Sequence, residues 1–281
     1  MLNVKPRRCG VGGQAMRQYF LIFKLTLMEY FVYRLNFILW RFRNVIFILS
    51  LIFFWRAIYR GQQEVFGYQQ EQMLTYIIGI SVLRAIIFGS RTADLAGMIK
   101  SGELVNKFLI RPWSIIKVFF FRDLAAKLLD IFFGILELFL IIWLLKIPFY
   151  WPPAWPSLFL FIASCLLALL LYFFLSFLLS LIAFWVDNVW APRWLFGVIF
   201  LEFMSGAFFP LDVLPSPLLK LIYLTPFPYL LYFPLKIYLA QVGFFGFSKV
   251  FLLMFFWLLI VVLLVDKLWK KGLKIYSTYG G

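Results

Sequence analysis

Long apolar runs alternate with short polar stretches along the chain, and most of these runs are long enough to cross a lipid bilayer. A helix satisfies all of its backbone hydrogen bonds without water, so the pattern predicts an all-α integral membrane protein. We predict six transmembrane helices, with approximate bounds at 37–59, 73–90, 131–145, 157–186, 194–209 and 248–265.

The residues before the first predicted span are basic and aromatic. In residues 16–36, four charged side chains interrupt a series of Phe, Leu and Tyr, which predicts an amphipathic helix on the membrane surface. The alternative is that this stretch is simply the start of the first span. Residues 1–15 lack an apolar core, so we predict a disordered basic extension rather than a signal peptide. Either this extension is a tail, or the protein starts at Met16. Residues 16–281 form one predicted domain.

A proline-rich stretch from Gly206 to Ala240 separates the last two predicted spans. It is apolar enough for a membrane, yet proline removes a backbone donor and clashes with the preceding helical turn. Broken backbone at membrane depth is tolerated where protein or a water-filled cavity satisfies it. We therefore predict short re-entrant half-helices that dip into the outer face of the bilayer. The prolines are Pro210, Pro215, Pro217, Pro226, Pro228 and Pro234.

The composition agrees with a membrane protein. Hydrophobic residues make up 64% of the chain, whereas a soluble domain is about 45–50% apolar. The net charge of +15 would suggest nucleic acid in a soluble protein. Here Lys and Arg cluster between apolar runs, so the positive-inside rule explains them better. With both termini in the cytoplasm, twenty of the 27 Lys and Arg residues lie inside and six outside.

Three ionisable residues fall inside predicted spans and away from their ends: Arg84, Glu137 and Glu202. Charged residues inside the membrane are costly and usually face the protein interior. They are typical of a proton relay in a secondary transporter, or of a structural ion pair that holds the helices together. Nearer the membrane edge, Asp123 and Lys127 lie one helical turn apart and can pair.

The chain lacks the motifs of several kinds of catalysis. It contains no phosphate-binding loop with the required glycines, no histidine, and no pair of cysteines at zinc spacing. We therefore predict no catalytic residues, no metal site and no ATP hydrolysis by this chain.

Three stretches of the chain form a specific pattern when they are taken together in order. Each of them alone is a weak signal. The first runs from Gly102-Glu103-Leu104 to Arg111-Pro112 and is followed by Arg122-Asp123. The second is 208–215 together with 226–229 and 232–235, and the third is the basic tail at 271–276. In this order they resemble the permease subunits of type-2 ABC exporters, in the branch near daunorubicin-resistance and polysaccharide-export permeases. The resemblance covers about residues 16–276.

The resemblance implies partners that composition does not show. A second permease, either the same chain or a homologous one, would complete the pathway. Two copies of a separate ABC ATPase would dock from the cytoplasm and bind ATP and Mg²⁺, while this chain binds no cofactor. Membrane lipid is the remaining expected partner, and nucleic acid is not one.

The resemblance also implies two functional segments. A cytoplasmic coupling helix would occupy about 92–106 and contact the ATPase, with candidate residues Asp94, Gly102, Glu103, Leu104, Arg111 and Pro112. The outer re-entrant helices would correspond to 211–240 and close the exit. The candidate gate residues are Pro210, Asp212, Pro215, Pro226, Tyr229 and Pro234.

We therefore expect the transmembrane subunit of an ATP-driven export system in the plasma membrane of a prokaryote. Its substrate would be amphipathic, lipid-like or drug-like, because an aromatic-rich wall suits such molecules. Two alternatives stay open: a secondary transporter that uses Arg84, Glu137 and Glu202, and a membrane scaffold that transports nothing.

Overall fold

The computed structural model describes residues 11–104, 114–147, 150, 155–186 and 188–279. Its helices in chain order are α1 (Val11–Val32), α2 (Arg34–Ile58), α3 (Gln70–Ile87), α4 (Ala93–Lys100), α5 (Ile115–Leu145), α6 (Trp155–Leu181), α7 (Trp190–Leu195), α8 (Ser216–Tyr223), α9 (Tyr232–Tyr238) and α10 (Phe244–Tyr279). A small hairpin pairs β1 (Glu64–Val65) antiparallel with β2 (Tyr68–Gln69) between α2 and α3. Within the described residues the protein is therefore almost entirely helical.

Four helical segments of the described residues are long and apolar enough to cross a membrane. They are Arg34–Ile58, Ile115–Leu145, Trp155–Phe184 and Phe245–Ile275. The first of these corresponds to the first predicted span. The second joins the predicted third span to its polar lead-in, because no proline or glycine turn interrupts the helix between them. The last extends well beyond the predicted end at 265, since the lysine-rich tail continues the helix.

The other two predicted spans correspond to shorter helices. The predicted second span is α3, which has 18 residues and includes Glu71 and Arg84. The predicted fifth span is α7 followed by a π-helix, Phe196–Phe203. It ends six residues before the predicted end at 209, because the chain turns at Gly206, whose φ is +81°. Six spans stay a prediction.

Helix α3 lies at the centre of the fold. All of its residues from 73 to 78 are buried, and Met73, Tyr76 and Ile80 are fully buried. It packs against α2, α5, α6 and α9. Small residues permit this close packing, as a methyl group at Gly79 would approach the Leu235 side chain of α9 to 2.7 Å. The other large contacts are between α1 and α5 and between α6 and α10.

The outward faces of the long helices are apolar. Large hydrophobic side chains are exposed along α2, α5 and α10, for example Phe54, Trp143 and Phe255. An exposed apolar surface of this extent is incompatible with water and is typical of helices that face lipid or another membrane subunit.

The proline-rich stretch folds into short helices, as its backbone chemistry predicts. It contains α8, α9 and two 3₁₀ turns, Leu211–Val213 and Phe227–Tyr229. Pro217 lies in the first turn of α8, where a missing N–H has no intrahelical acceptor to lose. Entry of these helices into the bilayer stays a prediction.

Gly206 turns the chain from the π-helix into this stretch. Its carbonyl accepts a 2.9 Å hydrogen bond from the buried Tyr76 hydroxyl. A Cβ atom at Gly206 would lie 2.8 Å from that hydroxyl oxygen, and its φ of +81° disfavours any other residue.

We expect Gly206→Ala to lower the free energy of unfolding by about 1–2 kcal/mol through left-handed backbone strain, and by more where Tyr76 is displaced. A thermal unfolding assay of the detergent-purified chain measures the change. Gly197→Ala is the matched control, since no atom lies within 4 Å of its added Cβ. Equal midpoints for both variants would contradict the prediction.

Candidate functional site

A buried lysine of α5 caps the end of α3. The Lys127 side chain is 6% exposed. Its ammonium donates to the carbonyl oxygens of Ile86 and Gly89, and to that of Ile87 at 3.0 Å. The last carbonyls of a helix have no intrahelical donor, and a cation at this end also opposes the negative end of the helix dipole. Lys127 therefore fixes the point where α3 ends.

Asp123, one turn earlier on α5, fixes the next part of the chain. Its carboxylate is buried and accepts a 2.8 Å hydrogen bond from the backbone N–H of Arg91. The described residues show no ion pair between Asp123 and Lys127: Lys127 binds carbonyls at and just after the end of α3, and Asp123 binds the N–H of Arg91. Two residues of α5 together hold the whole α3–α4 turn.

A second set of polar contacts ties this turn to α6 and α7. The buried Thr92 hydroxyl donates to Ser176 at 2.6 Å, and the Ser180 hydroxyl donates to the Thr92 carbonyl at 2.7 Å. The Arg193 guanidinium of α7 donates to both serine hydroxyls, at 3.1 and 3.0 Å. We did not predict these residues, although serines four apart in an apolar span were a usable indication.

The predicted coupling helix corresponds to α4. Its buried face, Leu95, Ala96 and Ile99, packs against α6 and the 3₁₀ turn Ile182–Phe184 that follows it. Gly97 and the stretch 100–103 are exposed. The helix thus presents one apolar face to the bundle and leaves its other face accessible.

The predicted coupling residues occupy different positions around this helix. Asp94 forms ion pairs with Arg122 at 3.2 Å and with Arg91 at 3.9 Å. Gly102 adopts a φ of +75° after α4, Glu103 is exposed and Leu104 is fully buried. Arg111 and Pro112 lie outside the described residues.

The three predicted intramembrane ionisable residues divide into two groups. Arg84 forms an ion pair with Glu202 and stacks over the Phe47 ring, 4.4 Å from its centroid. Glu137 accepts hydrogen bonds from Arg41 at 3.5 Å and from Asn44 at 3.2 Å. The π-helix positions Glu202, and such helices are frequent at functional sites.

Arg41 is the central cation of the second group. It also pairs with Asp130 at 2.8 Å, so one guanidinium binds two carboxylates of α5. In the sequence, Arg41 lies near the start of the first predicted span, 37–59, where a long basic side chain can reach the lipid head groups. The structure instead directs it between α2 and α5.

The polar contacts of the proline-rich segment are centred on Asp212. Its carboxylate accepts hydrogen bonds from the Tyr68 hydroxyl at 2.7 Å and from the Tyr232 hydroxyl, and pairs with Lys236 at 2.6 Å. These contacts join the β-hairpin, the turn before α8, and α9. Burial alone would raise the pKa of Asp212, but the hydrogen bonds from Lys236, Tyr232 and Tyr68 lower it below its ordinary value.

The other predicted gate residues lie along the same proline-rich segment. Pro210 and Pro215 precede the 3₁₀ turn and α8, and Pro226 precedes the second 3₁₀ turn. The Tyr229 hydroxyl donates to the Tyr223 carbonyl at 2.9 Å. Pro234 is buried in α9.

We expect Lys127→Met to lower the free energy of unfolding by about 1–3 kcal/mol, because three buried carbonyls lose their donor. Lys117→Met is the matched control, since Lys117 is an exposed lysine of the same helix. Thermal unfolding of both purified variants measures the difference. An unchanged midpoint for Lys127→Met would refute the role of this side chain as a cap.

We expect the stabilising effect of Asp212 to depend on pH. A carboxylate with a lowered folded pKa stabilises the protein above its unfolded pKa of about 4, and this contribution is lost as pH falls through the folded pKa. Asp212→Asn should therefore be less stable than the unmodified chain at pH 7, with the gap closing below about pH 4. Asp266→Asn removes an exposed ion pair with Lys270 and should show a much smaller gap. A gap that does not change with pH would contradict the prediction.

Comparison with known proteins agrees with this architecture. The family model described as ABC-2 family transporter protein matches residues 45–280. A search of curated proteins finds no match. The matched range includes α3 to α10 and the polar contacts that join them. The chain therefore belongs to the ABC-2 transporter family and is a multi-pass membrane permease subunit of an ABC transporter, not itself an enzyme.

Proposed function

We propose that this chain is the membrane subunit of an ATP-driven exporter and forms the pathway for an amphipathic, lipid-like or drug-like substrate. The observation that carries the proposal is the family match over residues 45–280. Members of this family generally work with an ABC ATPase. In the proposed assembly, two copies of this ATPase bind ATP and Mg²⁺, and a second permease, identical or homologous, completes the pathway.

In the proposed arrangement the chain crosses the plasma membrane of a prokaryote six times, with both termini in the cytoplasm. Helix α3 and the α7–π-helix segment supply the two spans beyond the four long ones. The charge distribution supports this orientation, since most Lys and Arg residues then lie inside. Helix α1 lies at the interface, residues 1–15 form an extension, and residues 16–281 form the permease domain.

The proposed coupling site is the exposed face of α4. Motion of α4 would reach the bundle through the α3–α4 turn, because Lys127 and Asp123 of α5 bind this turn and Ser176 and Ser180 of α6 bind Thr92. These contacts are short and buried, so α4 cannot move without a matching movement of α5 and α6. This rigidity supports α4 as the element that receives the movement of the ATPase.

The proposed gate is the segment from Gly206 to Ala240 on the outer side. Asp212 of this segment accepts a hydrogen bond from the Tyr68 hydroxyl in the hairpin that follows α2. Tilting of α2 or α3 would therefore displace the gate. The substrate would leave between the gates of two permeases.

The proposal is tested by reconstitution in liposomes, with and without a candidate partner ABC ATPase. Efflux of a fluorescent amphipathic cation that requires both the ATPase and ATP is the expected result. Transport by the chain alone, abolished by a protonophore, would favour the secondary transporter with Arg84, Glu137 and Glu202. Absence of flux for all substrates tried, with the ATPase still bound, would favour a scaffold.

We expect Glu103→Arg to lower ATP-dependent transport by about tenfold, because it reverses a charge on the proposed ATPase contact. Membrane insertion and thermal stability should be unchanged, as Glu103 is exposed. The matched control is Glu71→Arg, an exposed acidic residue at the start of α3, at the opposite end from α4. Equal transport by both variants would count against α4 as the contact.

A further inference from the structure

A cavity of about 680 Å³ lies at the end of the bundle that carries the α3–α4 turn. It is bounded by the end of α1, the start of α2, the end of α3 and the π-helix. Four arginines line it: Arg41, Arg43, Arg84 and Arg91. Three carboxylates, Glu29, Asp130 and Glu202, also line it. Cations thus outnumber anions on its wall.

The charges in the cavity are unequally compensated. Arg41 and Arg84 have carboxylate partners, and the only carboxylate that Arg91 reaches within the described residues is Asp94, at 3.9 Å. The exposed Arg43 guanidinium forms no ion pair with any described residue and stacks over the Trp40 ring at 3.9 Å from its centroid. Arg43 is therefore the least compensated of the four, followed by Arg91, which shares Asp94 with Arg122 and stacks over the Tyr30 ring at 4.5 Å from its centroid.

Two arginine donors lie beneath the wall. The Nε atoms of Arg84 and Arg91 are buried and have no hydrogen-bond partner among the described residues, and the two guanidinium groups stack over the Phe47 and Tyr30 rings. The other N–H groups of the four arginines can donate hydrogen bonds and cannot accept them. A ligand with several acceptor oxygens and negative charge suits such a wall, and the guanidinium fork suits a phosphate group.

The surroundings of the cavity are apolar. Trp40, Tyr33 and Phe37 line it, and Trp40 and Tyr33 are largely exposed. Beside them, large apolar side chains of α1 and α2 are exposed, among them Phe31 and Leu35. An anion with an attached hydrocarbon chain can place its charge among the arginines and its chain along these helices.

We propose that this cavity is a binding site for a phosphate-bearing anion, and that the anion is held between Arg43 and Arg91 with Arg84 behind them. The site belongs to this chain alone and does not rest on the proposed transport, because binding is measured without an ATPase. The same chemistry could come from a lipid headgroup or from free phosphate, and the two sources are separable by experiment.

The test is equilibrium binding of a fluorescent short-chain phosphatidic acid to the detergent-purified chain. The matched probe is phosphatidylcholine with the same acyl chains and label. We expect the anionic probe to bind more tightly, and Arg43→Gln to weaken its binding by about tenfold, the loss typical of one charged hydrogen bond. Arg43→Lys keeps the charge and should retain most of the affinity. Arg43 is exposed, so neither variant should alter thermal unfolding.

The control variant is Arg60→Gln, which makes the same charge change just beyond the other end of α2, at an exposed position. It should bind the anionic probe as the unmodified chain does. Competition by inorganic phosphate at concentrations similar to those of the lipid would identify free phosphate as the source, and competition only by anionic lipid would identify a headgroup. Equal affinity in Arg43→Gln and the unmodified chain, or an equal loss in Arg60→Gln, would overturn the proposal.

Discussion

The position of α4 depends on one buried ammonium group, that of Lys127. Transfer of an isolated charge into an apolar interior is prohibitive, so such a group is tolerated only where dipoles surround it. The end of α3 supplies those dipoles as three backbone carbonyls, which themselves lack donors. The ammonium group and the carbonyls satisfy each other. Helix α5, which carries Lys127, also carries Asp123, and Asp123 accepts a hydrogen bond from the backbone N–H of Arg91 in the turn. These contacts fix α3 and α5 to each other and set the direction in which the chain enters α4.

The proline-rich stretch from Gly206 to Ala240 meets the same requirement with different groups. Prolines interrupt the helices of this stretch and remove backbone donors, so side chains complete the polar contacts. Tyrosine is well suited, because its ring packs with apolar neighbours while its hydroxyl reaches a carboxylate or carbonyl. Tyr68, Tyr76 and Tyr232 each make such a bond, and all three are buried. Buried polar groups therefore hold the chain at both ends of α3, with Tyr68 and Tyr76 near its start and Lys127 at its end.

Much of this architecture was predictable from the sequence, because apolar length and proline position are local properties. The long helices follow from the apolar runs, and the broken backbone of the proline-rich stretch follows from its prolines. The partners of charged residues could not be predicted in this way. Arg84 and Glu202 are 118 positions apart in the sequence, and only the packing of the helices brings them together. The sequence indicates only that Arg41 lies near one end of a helix, and the packing of α5 shows that Asp130 is its partner. The early end of the predicted fifth span also required tertiary information, since Gly206 turns the chain against Tyr76.

The π-helix Phe196–Phe203 has a consequence for Glu202, which lies one residue before its end. A π-helix holds more residues per turn than an α-helix, so rewinding this segment to α-helical hydrogen bonding would rotate its last residues by about 100° per residue displaced. Glu202 would then turn away from Arg84. The ion pair with Arg84 therefore matches the π-helical winding of the segment. The position of this one carboxylate depends on how all eight residues of the segment are wound.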